Sequence, residues 1–236
     1  MLSGSKRQDD MKVEQALSNF LDEFFYKRIE NGNASLVCKR VNEKNLQQAG
    51  IDVIISQRNG DVWLIDEKAA LYYRNTMLPT FAFEISSIQR DSGERIPGWF
   101  INPDLKTTHY LIIWPNVKCD VKTRQMKELN QTDKDDFTII EVALIEKKKI
   151  IQFLEEQGFS IEKIRNQEKN ILEQNLSDRI SVGQKDFYFF YSEAIAEKPV
   201  NLIIKKEKLL ELAIAKYLIN SDGASDLAAS IALHLN

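Results

Sequence analysis

The stretch "QQAGIDVIISQRNGDVWLIDEKAA" at residues 47–70 constrains the fold of this chain more than any other segment. Two short runs rich in β-branched residues, 51–56 and 61–68, flank the dipeptide Asn59-Gly60. Such a dipeptide favours a tight hairpin turn because both residues accept positive φ angles. The pattern therefore predicts an antiparallel hairpin, and its apolar arms carry charged residues near their ends.

Three charged residues of this hairpin are predicted to lie together. Side chains alternate between the two faces of a strand, so Asp66 and Lys68 project to one side and Glu67 to the other. Pairing outward from the turn brings Asp52, on the first arm, close to positions 66–68. Glu84, in "PTFAFEISSIQ", repeats the pattern on the next predicted strand.

Carboxylates that meet at a strand end need compensation. Burying a charge without a partner costs several kcal/mol after relaxation. A hard divalent cation, Mg²⁺ or Mn²⁺, is a natural compensation, since it takes oxygen ligands and is often held by one or two carboxylates. A neighbouring lysine would then stabilise an attacking water or the charge that develops on a phosphate.

Length and composition exclude several other classes of protein. The chain has 236 residues and 43% hydrophobic residues, which suits an α/β domain with a sizeable core, and no apolar run reaches the roughly 18 residues of a membrane span. A net charge of −3 argues against a protein that coats nucleic acid through bulk positive charge. Two histidines and two cysteines, Cys38 and Cys119, disfavour a zinc site and a disulfide framework. With no apolar leader at the N-terminus, we expect a reducing, cytoplasmic location.

Hydrophobic periodicity predicts the remaining elements. We expect a first helix over 11–30, and two later helices in 146–159 and 160–176, with Gly158 ending one and Ser160 capping the next. A last helix is predicted for 206–219. The predicted strands are 80–86, 108–114, 137–145, 187–192 and 200–205. These elements describe an α/β fold with a mixed sheet and a peripheral helical part.

Asp52 followed by "DEK" at 66–68 resembles the motif of the PD-(D/E)xK nuclease superfamily. "GIDVI…NGDVWLIDEKA" is particularly similar to the hairpin of its Holliday junction resolvase-like branch, and the resemblance covers about residues 10–115. Other acid-x-lysine triplets, "DLK" at 104–106, "DVK" at 120–122 and "EKK" at 146–148, do not end an apolar strand beside a second acid-bearing strand. The chain departs from the family in one respect, since no clear helix lies between Glu84 and the strand at 108–114, where the family has a crossover helix.

The resemblance implies a fold and an activity. The fold is a restriction-endonuclease-like mixed sheet flanked by helices over 1–145, with an additional α+β portion over 146–236 packed on it. The activity is that of a Mg²⁺- or Mn²⁺-dependent endonuclease that hydrolyses DNA through a metal-activated water. Asp52 and Asp66 would be metal ligands, Lys68 the catalytic lysine, and Glu84 a candidate further ligand. Superfamily members often dimerise, which makes a homodimer one expected assembly.

Two alternatives and several secondary candidates accompany this hypothesis. The chain is alternatively a catalytically silent nuclease-like module that binds nucleic acid or a protein partner, or a structural protein whose strand-end charges are plain ion pairs. Side chains that either contact a phosphate or decorate the surface are Gln48, Arg40, Arg74 and Lys44. The first helix offers acids that either join the site or face solvent: Glu14, Asp22 and Glu23. For Glu67 a structural partner is favoured, and for Trp99 and Phe100 core packing is favoured over stacking on bases.

Overall fold

The computed structural model describes residues 6–225, which form two β-sheets that share a core. The helices are α1 Lys6–Leu21, a π-helical turn Asp22–Tyr26, α2 Lys27–Gly32, α3 Lys44–Gln48, α4 Lys147–Glu156, α5 Ile161–Glu173 and α6 Lys206–Leu212. The strands are β1 Leu36–Arg40, β2 Val53–Gln57, β3 Val62–Ala69, β4 Thr80–Ile88, β5 Arg95–Pro97, β6 His109–Val117, β7 Phe137–Glu146, β8 Asp178–Ile180, β9 Phe187–Tyr191, β10 Val200–Lys205, β11 Ala215–Asn220 and β12 Gly223–Ser225.

The seven-stranded sheet has the order β1-β2-β3-β6-β7-β11-β12, and the five-stranded sheet has the order β5-β4-β10-β9-β8. The β3–β6 pair is parallel, and the other strand pairs are antiparallel, so the larger sheet is mixed. Strand β6 is buried along nearly its whole length because α1 and the π-helical turn cover one face of the sheet and the five-stranded sheet covers the other. The predicted α/β class, with helices flanking a mixed sheet, is confirmed at this level.

The predicted hairpin is confirmed, but its turn differs from the prediction. Strands β2 and β3 pair up to Ser56 and Val62. Gly60 has a φ of 96°, and its N–H donates to the carbonyl of Gln57 at 3.0 Å. Asn59 is not among the residues with positive φ. The loop is therefore a longer turn in which one left-handed glycine, rather than two successive positive φ angles, reverses the chain.

Most predicted elements are confirmed. The first helix is longer than predicted and contains the π-helical turn, and the predicted strands all form. The hydroxyl of Ser160 accepts from the N–H of Lys163 at 3.3 Å, so it caps α5, and Gly158 ends the preceding helix with a φ of 78°. Cys38 and Cys119 are free thiols.

The prediction of one helix over 206–219 is wrong in its second half. Helix α6 ends at Leu212, and Ala215–Asn220 form β11 beside β7. Ala215, Tyr217 and Ile219 are buried while Lys216 and Leu218 are exposed, which is the alternation of a half-buried strand. Local helix propensity is outweighed here by pairing with β7.

Both sheets combine strands from the two sides of residue 146. Strand β11 extends the sheet that contains β1, β2 and β3, and β10 pairs with β4. The connection from β3 to β6 passes through β4 and β5 of the other sheet. Within residues 70–108 the only helical element is the 3₁₀ turn Leu71–Tyr73, so this connection has no crossover helix. No helix within residues 6–225 has the length and apolar character that a bilayer crossing requires.

Candidate functional site: the carboxylate pair at the end of β3

The site arises because β3 is longer than β2. The last β2–β3 pair joins Val53 to Ile65, whereas β3 continues to Ala69 beside β6. Asp52 occupies the position that β2 leaves open: its N–H donates to the carbonyl of Ile65 at 2.8 Å, and its Oδ2 accepts from the N–H of Glu67 at 2.8 Å. One carboxylate oxygen thus replaces a rung of the sheet ladder and fixes Asp52 beside residues 66–68.

Gly50 allows the chain to turn into this position. Its φ is 75°, a value that residues other than glycine rarely adopt. A Cβ at this position would lie 2.7 Å from Oγ1 of Thr107. The same hydroxyl donates to the carbonyl of Gly50 at 2.7 Å. Residue 50 must therefore be glycine for α3 to lead into Asp52 with this geometry.

Asp66 and Lys68 form the centre of the site. Lys68 Nζ lies 2.7 Å from Asp66 Oδ1, and it also lies 5.2 Å from the ring centroid of Trp99. Asp66 is only 2% exposed, and no hydrogen-bond donor of residues 6–225 reaches its Oδ2. The sequence expectation that residues 52, 66 and 68 converge is thus met by the geometry of the backbone and of the ion pair.

The surroundings of Asp66 and Lys68 raise the pKa of both groups, for different reasons. Burial raises the pKa of Asp66 to about 7, against the attraction of Lys68, and the nearby carboxyl of Asp52 raises it further. Burial alone would lower the pKa of Lys68, but Asp66 and Asp52 outweigh it and raise that pKa. Near neutral pH the lysine therefore carries its charge, while Asp66 is poised between its two protonation states.

Two further acids face the same lysine. Burial raises the pKa of Glu84 on β4 and of Glu14 on α1, and in both cases Lys68 opposes the shift. Glu84 also accepts a hydrogen bond from the hydroxyl of Ser87 at 3.2 Å. The charge of Asp52 further raises the pKa of Glu14. Of the three first-helix acids that the sequence offered, Glu14 is the one that borders the site. Asp22 pairs with Arg40 at 2.7 Å, and Glu23 with Lys134 at 2.6 Å.

Glu67 points to the opposite face of β3, as the alternation predicts. Its Oε1 accepts from the hydroxyl of Tyr26 at 2.8 Å, and its Oε2 accepts from Nη1 of Arg40 at 2.5 Å. Arg40 was a sequence candidate for substrate binding, yet its guanidinium is divided between Glu67 and Asp22. These contacts assign it to an internal network behind the site.

The remaining sequence candidates lie in different environments. Arg74 is 6% exposed, and its guanidinium donates to Thr132 at 2.5 Å and to the carbonyl of Lys127 at 3.2 Å. Gln48 is exposed at the end of α3. Phe100 is fully buried, which confirms its core role. Trp99 is partly buried, and its ring makes a cation–π contact with the ammonium of Lys68.

Two side chains near Asp66 were not found from the sequence. Tyr110 is the parallel partner of Asp66 on β6, and its buried hydroxyl has no hydrogen-bond partner within residues 6–225. Lys147, at the start of α4, places its Nζ 6.0 Å from the centroid of the Tyr110 ring. Burial lowers the pKa of Lys147, and the charge of Asp66 opposes that shift. Lys147 belongs to the "EKK" triplet, whose position in the chain gave no reason to connect it with Asp66.

Asp52 and Asp66 offer two carboxylates, which are fewer ligands than a full protein cage provides. Within residues 6–225 no three or more His, Cys, Asp or Glu side chains are arranged to hold a metal ion. Asp52 nevertheless lies close enough to raise the pKa of Asp66, and one oxygen of Asp66 meets no donor within residues 6–225. Magnesium commonly takes one or two carboxylates and completes its shell with water, so this pair satisfies its minimum requirement.

Comparisons of the chain with protein-family models, with curated proteins and with solved structures found no match.

Proposed function

We propose that this chain is a Mg²⁺- or Mn²⁺-dependent endonuclease that hydrolyses DNA phosphodiester bonds and has a restriction-endonuclease-like core. The observation that carries the proposal is the state of Asp66: it is 2% exposed, it pairs with Lys68 at 2.7 Å, and one of its oxygens meets no donor within residues 6–225. Two buried carboxyls beside one ammonium leave negative charge uncompensated when both are ionised. A divalent cation supplies that compensation.

Each residue of the site has a role in the proposed reaction. Asp52 and Asp66 would hold the ion, with Glu84 as the candidate further ligand on β4. When bound, the ion would act as a Lewis acid and lower the pKa of water at the site. The ammonium of Lys68 stabilises negative charge on the phosphate as the water oxygen bonds to phosphorus. A proton of that water passes to a carboxylate, the ester P–O bond breaks, and the leaving oxygen takes a proton from solvent.

The proposal extends to the partner, the assembly and the location. DNA is the proposed substrate, a homodimer is the proposed means of cutting two strands, and the cytoplasm is the proposed location. Gln48 and Lys44, both exposed on α3, are the sequence candidates for a phosphate contact whose side chains face solvent.

The first test is cleavage by the full chain. Plasmid, linear duplex, single-stranded and branched DNA, together with RNA, are incubated with Mg²⁺ or Mn²⁺ and with EDTA as a control. We expect metal-dependent cleavage of DNA, and we expect Asp66→Asn and Lys68→Met each to slow it by about 10²–10³-fold, the usual cost of losing one electrostatic group of an active site. Circular dichroism checks that the variants fold.

Asp61→Asn is the matched control, because Asp61 lies in the exposed loop of the same hairpin. This variant should cleave at the wild-type rate. A fully active Asp66→Asn protein, or a wild-type protein that cleaves none of the substrates, would contradict the proposal.

A second candidate function is supported by one observation. The Asp66–Lys68 ion pair is complete without an ion, and no three-ligand group exists in the described part of the chain. Both facts suit a catalytically silent module that binds nucleic acid or a protein partner. Calorimetric titration with Mn²⁺ separates the two candidates: DNA binding without any Mn²⁺ binding favours the silent module.

A further inference from the structure

Two buried polar atoms lie in one residue pair of the β3–β6 ladder and have no hydrogen-bond partner there. They are Oδ2 of Asp66 and the hydroxyl oxygen of Tyr110, and the two residues are 2% and 0% exposed. Residues 6–225 hold three such side-chain atoms in all, and the third is the hydroxyl of Tyr217. Buried polar groups in folded proteins are nearly always satisfied, by protein groups or by ordered water, so this coincidence calls for a ligand.

The two atoms belong to partner residues of the ladder and do not bond to each other. Asp66 and Tyr110 are direct partners in the parallel register, and neighbouring strands lie about 4.8 Å apart, so their side chains leave the same face of the sheet together. After burial, the charge of Asp66 is the second cause that raises the pKa of Tyr110. The two groups interact electrostatically and make no direct hydrogen bond, so a small molecule that both donates and accepts hydrogen bonds would satisfy both.

We propose that Asp66 Oδ2 and the Tyr110 hydroxyl together bind one buried water molecule, which makes Tyr110 a water-positioning residue of the site. Water suits the pair because it can donate to the carboxylate and accept from the phenol. A carboxylate offers about four acceptor positions, so Asp66 can bind this water and still serve the ion that it would hold with Asp52.

The chain provides its own matched control in Tyr217 on β11. Its hydroxyl is also buried and has no hydrogen-bond partner among the described residues, its ring packs 5.2 Å from that of Phe25, and burial raises its pKa. No charged group acts on it as Asp66 acts on Tyr110. Tyr110→Phe and Tyr217→Phe each remove one hydroxyl and keep the ring.

Thermal melting in EDTA, without nucleic acid, tests the water position directly. Tyr217→Phe should raise Tm by about 2–4 °C because it removes a buried hydroxyl that makes no bond. Tyr110→Phe should lower Tm by about 2–4 °C because it removes a hydroxyl that binds water. A Tm for Tyr110→Phe equal to or above that of Tyr217→Phe would overturn the assignment, whereas a lower one supports it.

Kinetics test whether this water is the one that reacts, a step that rests on the proposed nuclease function. In that case Tyr110→Phe should lower kcat by about tenfold with KM unchanged, and Tyr217→Phe should change neither. An unchanged kcat in Tyr110→Phe would refute the kinetic role. If the wild-type protein cleaves no substrate, the proposed function fails, and the melting comparison still decides whether the water is bound.

Discussion

The two faces of β3 at its end bury two carboxylates that are adjacent in sequence but paired in different ways. On one face, both oxygens of Glu67 accept hydrogen bonds, from Tyr26 at 2.8 Å and from Arg40 at 2.5 Å. On the other face, Asp66 pairs with Lys68 at 2.7 Å, and its second oxygen meets no donor in the described part of the chain. Burial raises the pKa of both carboxyls, so the difference lies in their partners rather than in their depth.

This difference separates a structural charge from the charge at the centre of the proposed site. The Glu67 network is closed: the π-helical turn Asp22–Tyr26 supplies two of its members, and Arg40 joins them to the strand. Both oxygens of Glu67 have donors in this network, and breaking such a network is costly. The Asp66 cluster is open, with an unmatched oxygen and a pKa of about 7, which are features expected where a protein binds or transforms something.

The largest effect is expected from opening the closed network. Arg40→Met removes the guanidinium and leaves Glu67 buried on the far face of β3, where its side chain is 9% exposed. Breaking a buried ion pair from one side typically costs about 3–5 kcal/mol, and we expect a loss of that size in the free energy of unfolding, measured by urea denaturation. Lys44→Met is the control, since Lys44 is exposed on α3 and should have little effect. An Arg40→Met protein as stable as the control would mean that the Glu67 network is not a structural element.

A smaller effect is expected from neutralising the open site. The folded pKa of Asp66, about 7, lies above its ordinary value of 3.8. The stability that this group contributes is therefore fully present below the unfolded pKa and is lost as the pH rises through the folded pKa. In EDTA, the unfolding free energy of the wild type should fall relative to Asp66→Asn by on the order of 2–3 kcal/mol between about pH 5 and about pH 8.

Urea denaturation across the pH range measures this difference, and Asp61→Asn should keep the wild-type profile because Asp61 is exposed in the hairpin loop. Parallel profiles for the wild type and Asp66→Asn would show that Asp66 ionises as an ordinary surface acid does, and the contrast between the two faces would then disappear.

The sequence was sufficient to predict the hairpin and its charges because both depend on local rules. Alternation places Asp66 and Lys68 on one face and Glu67 on the other, and pairing from the turn places Asp52 opposite them. The strand at His109–Val117 was also predictable, since an apolar run bounded by polar loops is typical of a buried strand.

What could not be predicted depends on long-range register. That Tyr110 is the partner of Asp66 follows from the parallel pairing of β3 with β6, which are joined by a connection through the other sheet. The proximity of Glu14 depends on how α1 packs, and the internal pairing of Arg40 depends on a π-helical turn that the helical pattern does not reveal. The strand Ala215–Asn220 was mistaken for helix because its neighbour β7 lies far away in sequence.

The smallest effect concerns metal affinity, and it distinguishes Asp66 from Glu67 most directly. A divalent ion must displace the proton from Asp66, whose pKa burial raises to about 7. The Kd for Mn²⁺, measured by calorimetry, should therefore rise by about tenfold for each pH unit below the pKa and level off above it. Glu67→Gln should keep this pH dependence, because Glu67 is engaged with Arg40 and Tyr26 on the other face, whereas Asp66→Asn should abolish it. A pH-independent Kd in the wild type would remove Asp66 from the ligand set, and a loss of the pH dependence in Glu67→Gln would show that the two faces act as one site.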